Sequence, residues 1–216
     1  FEIPTNLQVI RDEAATGLID GGNGLGQVAA RRAMEMCIQK ARQFGTGMVL
    51  VRNTNHIGIL AFYTSMAAEE GMVGMVMSNS APSMPPWGGT EPFFGTNPLS
   101  IAVPGGSEGP VILDMSSSVV ARGKIRLAQR MKETIPLGWA LDEKGRPTTD
   151  PAAALKGTLL PIGGPKGYGL ALMIDVLGGL LSGSQYGSNV KTFHEPLGPT
   201  GIGVFFVAID IERFMP

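Results

Sequence analysis

A short apolar run, Met48-Val49-Leu50-Val51, gives way to the polar Asn53-Thr54-Asn55-His56 and then to Ile59, Phe62, Tyr63, Met66 and Ala67 at helical spacing. A hydrophobic period that changes from two to about 3.6 across one polar break requires a strand that hands over to a helix. That junction commits the chain to an α/β architecture. The alternation continues on both sides of it. Thr16 to Asp20 predicts a strand, Gly21 to Gly26 a glycine-rich turn, and Gln27 to Gln43 a helix with one apolar stripe at 30, 33, 34, 37, 38 and 41. Phe44-Gly45 stops that helix, with the glycine in the left-handed position that follows many helix ends.

Further along, a helix is predicted over Gly58 to Glu70, with strands over Met72 to Met77, Leu99 to Val103 and Val111 to Met115. Helices follow over Ser118 to Met131 and Tyr168 to Leu181, and a last strand over Gly203 to Ile209. Between the last two helices, Asp142-Glu143-Lys144-Gly145 marks a hairpin tip and Asp150-Pro151 a capped helix start. The Pro/Gly-rich segment from Ala81 to Pro98 is too long for a plain connection and is expected to line a site. No repeat or linker divides the chain, so one unit is expected over residues 1–216.

Composition narrows the function classes. A net charge of −1 removes any general electrostatic argument for nucleic acid or an anionic membrane. The modest cluster Arg122, Lys124, Arg126 and Arg130 reads as a solvated helix face. Cys37 is the only cysteine, so no intrachain disulfide can form, and no zinc site or other metal site is expected. It falls on the apolar stripe of its helix and should pack as a small hydrophobe. The longest apolar stretch, Leu170 to Leu181, holds Asp175 and two glycines, which argues against a membrane span. Without a signal-peptide pattern, the cytoplasm is the expected location.

His56 is one of two histidines and stands where α/β proteins place their chemistry, just past the carboxyl end of a strand. An imidazole exchanges a proton near neutrality and suits general acid/base work, although a capping or packing role is also open to it. The other histidine, His194, lies in a polar loop flanked by proline and glycine. Gly22-Asn23-Gly24-Leu25-Gly26 imitates a Rossmann phosphate loop but fails its fingerprint. Gln27 stands where the third glycine belongs, and the window from Arg42 to Gly47 has no carboxylate for a ribose. A turn that presets the following helix is the better account.

Asp114 closes an apolar strand and is followed by Met115 and three serines at an expected helix start, where amides and hydroxyls can hold anions. Asp or Ser as a helix cap is the plainer reading of those residues. Lys166, on the glycine-dense turn Gly163 to Gly169, can present a point charge to a phosphate or carboxylate, or can simply be an exposed loop lysine. Trp87, next to Pro85-Pro86, would form a rigid wall or a packing anchor. Asp175, an acid within an apolar helix, calls for a backbone, lysine or subunit partner.

Taken in register, several blocks resemble one family: Asn53 to Tyr63, Ser78-Asn79-Ser80, Pro86-Trp87-Gly88-Gly89, Gly95-Thr96-Asn97-Pro98, Leu113-Asp114-Met115-Ser116, Ala121-Arg122-Gly123-Lys124 and Gly164 to Gly169. The order and spacing are similar to the malate/L-lactate/sulfolactate dehydrogenases. These are NAD(P)-dependent oxidoreductases without a Rossmann fold, related to ureidoglycolate dehydrogenase and the cyclic imine reductases. The resemblance implies an α/β fold with a mixed, largely antiparallel sheet flanked by helices. It implies hydride transfer between NAD or NADP and a small 2-hydroxy/2-oxo acid pair, malate-like or lactate-like, in a homodimer.

On that resemblance His56 is the catalytic acid/base. Ser80, Asp114, Met115, Ser116, Lys166 and Gly167 hold the cofactor, and Thr96 and Asn97 shape the substrate pocket. Family members extend further at both ends and carry an N-terminal Ser-His-Gly motif followed by an arginine and a tyrosine. That motif is absent from this sequence, so the chain is expected to be a fragment. The arginine for the substrate carboxylate is expected but not located. Cyclic imino acid reduction, ureidoglycolate oxidation and a dinucleotide-binding module without turnover remain the alternatives.

Overall fold

The structure is a computed structural model that describes residues 2–192 and 198–215; His194 lies outside them. Strands β1 (Gln8–Asp12) and β2 (Thr16–Asp20) form an antiparallel pair. They lead into α1 (Gly26–Phe44), β3 (Thr46–Thr54), α2 (Ala61–Glu69), β4 (Met72–Ser78), β5 (Leu99–Val103) and β6 (Val111–Met115). Helix α3 (Arg122–Met131) and a small annex follow, the annex made of β7 (Ala140–Leu141), α4 (Pro151–Lys156) and β8 (Thr158–Leu159). Helix α5 (Pro165–Ile174) runs into one π-helical stretch at Asp175–Leu180, and β9 (Ile202–Asp210) completes the sheet.

Seven strands make one sheet in the order β1-β2-β3-β9-β4-β5-β6. Among the described residues only β2 and β3 run parallel; every other pair in this sheet is antiparallel. This is the mixed, largely antiparallel α/β sheet expected from the resemblance, and it is unlike a doubly wound dinucleotide fold, whose sheet is mostly parallel. Helices α1 and α2 pack against each other, α1 on β3 and β9, α2 on β4 and β5. Alternation sets the contact: Val49 and Val51 of β3, Val76 of β4, and Val204, Phe206 and Ala208 of β9 are fully buried in one cluster with Ala30, Ala33, Met34 and Cys37 of α1. A second apolar cluster, with Met84, Phe94, Ile125, Leu159 and Ala171, joins the long loop to α3, α5 and the annex.

Gly45 ends α1 at φ 87°, the left-handed conformation expected of it. Asp150 accepts the Ala152 amide at 2.9 Å and starts α4 as predicted. Cys37 is fully buried, and burial pushes its thiol pKa up. Several boundaries differ from the sequence reading. Strand β1 was not predicted, because all five of its residues are exposed and carry no alternating pattern. Helix α3 begins at Arg122 rather than Ser118, because Ser117 and Val119 donate their amides to Thr96 and Leu160 instead of to a helix. Strand β6 forms the edge of the sheet, and Val111, Ile112 and Leu113 on it are exposed.

Phe206 lies at the centre of the sheet with its ring edge-on to Tyr63 at 6.0 Å. Phe206→Ala should therefore destabilise the protein by about 3–5 kcal/mol. Urea unfolding of the variant against the parent measures this, and a loss below about 1 kcal/mol would contradict the packing described.

Candidate functional site

The segment after β3 is tied down on both sides of His56. At the end of β2, the Asp20 carboxylate accepts hydrogen bonds from the Gly22 amide at 2.9 Å, Arg52 Nε at 2.9 Å and Asn53 Nδ2 at 2.8 Å. Burial by itself would raise the Asp20 pKa, but these donors outweigh it and hold the carboxyl below the usual carboxylate range. Asn55 Nδ2 donates to the carbonyls of Asn23 at 3.0 Å and Gly24 at 2.8 Å. Thr200 Oγ1 donates to Thr54 O and to Asn55 Oδ1, both at 2.9 Å. Beyond the histidine, Tyr63 Oη donates to Ile57 O at 2.5 Å. His56 is exposed between these anchors.

The glycine loop serves this strap. A Cβ added at Gly26 would lie 2.3 Å from Asn55 O, so that glycine lets α1 approach the backbone that carries His56. The close approach is to the protein's own chain, which agrees with the rejection of a Rossmann loop.

A cavity of about 510 Å³ opens beside His56, lined also by Ser80, Ser83, Thr96, Arg122 and Arg126. Ser80 follows the end of β4, and its amide donates to Asn97 Oδ1 at 3.1 Å. The Ser80 and Thr96 hydroxyls stand 3.4 Å apart. Asn97 itself is fully buried, holds φ 29° and donates from Nδ2 to Ala171 O at 2.9 Å. It braces the pocket from behind while Thr96 faces it. Behind Asn97 lies Asp175, only 4 % exposed, which accepts the Gly187 amide at 2.8 Å. Burial raises the Asp175 pKa, and hydrogen bonds from Gly187, Asn79 and Asn97 offset this only in part. The partners of Asp175 are thus a backbone amide and two asparagines.

The remaining cofactor candidates group around the end of β6. Asp114 is exposed and accepts the Ala61 amide at 2.8 Å, capping α2 from a distant strand. Met115 closes the strand, half-buried. Ser116 donates to Ser118 O at 3.1 Å, and Ser117 Oγ to Thr96 O at 2.9 Å. These serines therefore join loops rather than open a helix, and the helix-end argument for anion binding at Ser116 does not apply. The same loops reach the glycine turn, since Ile162 donates its amide to Ser117 O at 2.9 Å. Lys166 is exposed in the first turn of α5. A Cβ at Gly167 would fall 2.0 Å from Ile162 O, so only glycine lets this turn close. The Trp87 ring lies over the turn, 3.2 Å from where a Cβ of Gly164 would stand. His56, Ser80 and Thr96 thus share one cavity, whereas Asp114, Met115, Ser116, Lys166 and Gly167 are not among its lining residues.

Two residues read from sequence as a solvated helix face instead line this cavity. Arg122 and Arg126 are four apart on α3, one helical turn, and Lys124 between them is exposed and does not line it. Arg122 is half-buried and donates from Nη2 to Leu155 O at 2.5 Å. Burial first, and the nearby Arg126 charge second, lower its pKa. Their four-residue spacing was the available signal. A larger apolar groove of about 740 Å³ lies along α1 and α2, lined by Val28, Ile59 and Phe62. Of its charged residues Arg31, Arg32 and Glu35, Arg31 and Glu35 pair with each other at 3.0 Å.

An antiparallel sheet with a histidine strap at its strand ends defines a class of α/β protein distinct from the doubly wound dinucleotide binders. The family model described as malate/L-lactate dehydrogenase matches residues 2–216, and the chain belongs to that family. The L-sulfolactate dehydrogenase of Methanocaldococcus jannaschii is 45% identical over 97% of this chain and 60% of its own. Its solved structure superposes with a TM-score of 0.90, covering 98% of this chain and 61% of that one. The ureidoglycolate dehydrogenase (NAD(+)) of Escherichia coli O157:H7 is 41% identical over 92% of this chain and 57% of its own. The crystal structure of delta1-piperideine-2-carboxylate reductase from Pseudomonas syringae pvar. tomato has a TM-score of 0.90 at 31% identity, covering 96% of this chain and 63% of that one. This chain therefore spans about 60% of the length of the curated relatives it matches.

A group whose pKa is raised by folding stabilises the native state below its ordinary pKa, here 3.8, and loses that contribution as pH rises through the folded value. Asp175→Asn should consequently gain stability relative to the parent on going from acidic to neutral pH. Urea midpoints at the two pH values test this, and a gap independent of pH would show that Asp175 does not titrate with folding.

Proposed function

We propose that this chain is the cofactor-binding and catalytic lobe of an NAD(P)-dependent dehydrogenase acting on a small 2-hydroxy/2-oxo acid pair. The observation that carries this reading is His56 on an anchored strap, facing one cavity with Ser80, Thr96 and two arginines. During oxidation His56 takes the substrate hydroxyl proton on an imidazole nitrogen; during reduction it returns the proton to the 2-oxo oxygen. The anchors at Asn55 and Tyr63 hold the backbone on both sides of His56, which supports the positioning that proton transfer in step with bond cleavage requires.

The residues present fit a dinucleotide. Asp114 uses one carboxylate oxygen on Ala61 and keeps the other for ribose hydroxyls, Lys166 offers a charge to phosphate, and the Ser80 hydroxyl stands on the histidine side. When bound, the nicotinamide supplies hydride chemistry that no side chain can perform. The names of relatives support either NAD or NADP. Exposed Val28, Ile59 and Phe62 support a homodimer. A second reading, reduction of a cyclic imino acid, is favoured by the likeness to the Pseudomonas reductase.

The deciding experiment offers oxaloacetate, pyruvate and a cyclic imino acid to the longest expressible version of the protein, with NADH and NADPH in parallel. Turnover of a 2-oxo acid supports the dehydrogenase, and turnover of the imine alone supports the second reading. His56→Ala should lower turnover about a hundredfold or more while leaving NADH affinity within a few-fold. Near-normal turnover would remove His56 from the mechanism. Asp114→Ala should weaken NADH binding about tenfold, whereas Asp114→Asn retains an acceptor for Ala61 and should keep the parent melting temperature. If both variants bind NADH as the parent does, Asp114 is a helix cap alone.

A further inference from the structure

Two hydroxyls that face the cavity with His56 stand next in sequence to two asparagines, Ser80 after Asn79 and Thr96 before Asn97. Both asparagines are buried, and so is Asp175 behind them. Their amide groups have settled orientations. Asn79 Oδ1 accepts the Gly203 amide at 2.9 Å, and its Nδ2 donates to Gln185 O at 2.8 Å. Asn97 Oδ1 accepts the Ser80 amide at 3.1 Å, and its Nδ2 donates to Ala171 O at 2.9 Å. Each NH2 group keeps a second N–H, and both side chains hydrogen-bond to the Asp175 carboxylate. The same carboxylate accepts the Gly187 amide at 2.8 Å.

This arrangement serves orientation better than stability. Among the described residues no ion pair includes Asp175, and a buried charge without a counter-ion is costly. What the ionised carboxylate offers is acceptance alone: it can take three donors at once, where an amide would turn an N–H toward one of them. The surrounding backbone is shaped to the same end. Asn97 holds φ 29°, a conformation that L residues rarely adopt. Asp175 opens the π-helical stretch, and π-helical turns occur frequently at functional sites. A Cβ added at Gly179 in that stretch would lie 2.5 Å from Asn79 Nδ2, so glycine lets the stretch close on the asparagine. A Cβ at Gly95 would lie 2.2 Å from both Ser80 O and Ser80 Oγ, so the loop that carries Thr96 and Asn97 is seated directly on Ser80.

We propose that Asp175 is a positioning residue for the cofactor: by orienting the Asn79 and Asn97 amides it sets the Ser80 hydroxyl at its place 3.4 Å from that of Thr96. The proposal rests on the reading of Ser80 as a cofactor contact. Asp175 does not line the cavity, so it acts only through the two asparagines.

The test is a double-mutant cycle in the longest expressible chain, with NADH dissociation constants read by calorimetry so that no substrate is needed. Ser80→Ala and Asp175→Asn should each weaken NADH binding about tenfold. The double variant should bind within about twofold of the weaker single variant, since no hydroxyl is left to position. Effects that multiply, or an Asp175→Asn variant that binds as the parent does, overturn the proposal and leave Ser80 its role. If Ser80→Ala binds NADH like the parent, the cofactor reading at Ser80 falls and takes the proposal with it.

Asn97→Asp provides a second arm should Asp175→Asn fail to fold. Aspartate keeps an acceptor for the Ser80 amide and visits the left-handed region, but it faces Asp175 without a donor. NADH binding should weaken about tenfold in this variant. Adding Asp175→Asn should then recover most of that loss, because the new amide donates to the new carboxylate. A residue that served only the fold would give no such rescue, and a double variant that binds no better than Asn97→Asp overturns the proposal.

Discussion

Strand β9 is the element on which the rest of the sheet depends. It pairs with β3 from Ile209 opposite Thr46 to Ile202 opposite Thr54, and with β4 from Asp210 opposite Met72 to Val204 opposite Ser78. Without it the strands fall into two separate groups, β1-β2-β3 and β4-β5-β6. Seven of its nine residues are buried, so the pairing is reinforced by apolar contact on both faces. Because β9 runs against both neighbours, its first residue lies at their carboxyl ends. Ile202 forms part of the cavity wall there, between the segments that carry His56 and Ser80. The sheet core and the site are therefore set by the same pairing.

Around that core, asparagines do what repetitive secondary structure cannot. Asn55, Asn79 and Asn97 each tie together separate chain segments: Asn79 Oδ1 accepts the Gly203 amide at 2.9 Å while its Nδ2 donates to Gln185 O at 2.8 Å. In these three the amide side chain both donates and accepts, which suits irregular backbone that must be buried. These bonds hold the loops around the cavity in place of regular structure. Asp175 extends the same network at the start of the π-helical stretch, where the widened turn departs from the ordinary helical ladder.

The sequence disclosed the phase of each buried element well. The strands from Thr16 to Asp20, Leu99 to Val103 and Val111 to Met115 have the predicted limits, because a short β-rich run bounded by turn residues has few other conformations open to it. It disclosed less where tertiary contacts override local preference. The serines after Met115 favour a helix start by composition, yet Ser117 bonds to Thr96 and Ile162, partners that local reasoning cannot foresee. The mixed, largely antiparallel character of the sheet came from the family resemblance rather than from periodicity, and neither gave the order of the strands or the lone parallel pair. His56 was legible because a polar break between a strand and a helix is a local signal. Arg122 and Arg126 were not, because the wall opposite a helix face is decided by the loop from Ala81 to Pro98, far away in sequence.

One contact has a thermodynamic side. Asp114, at the exposed edge of the sheet, caps helix α2 through the Ala61 amide, and α2 begins five residues after His56. A group that binds the other oxygen of that carboxylate changes the strength of the cap, and the state of the cap changes the affinity of the carboxylate for that group. Linkage makes these two effects equal in free energy. Helix α2 is thus a gauge of whatever occupies the edge of β6: its protection against amide exchange and the affinity at Asp114 are one quantity read from two places.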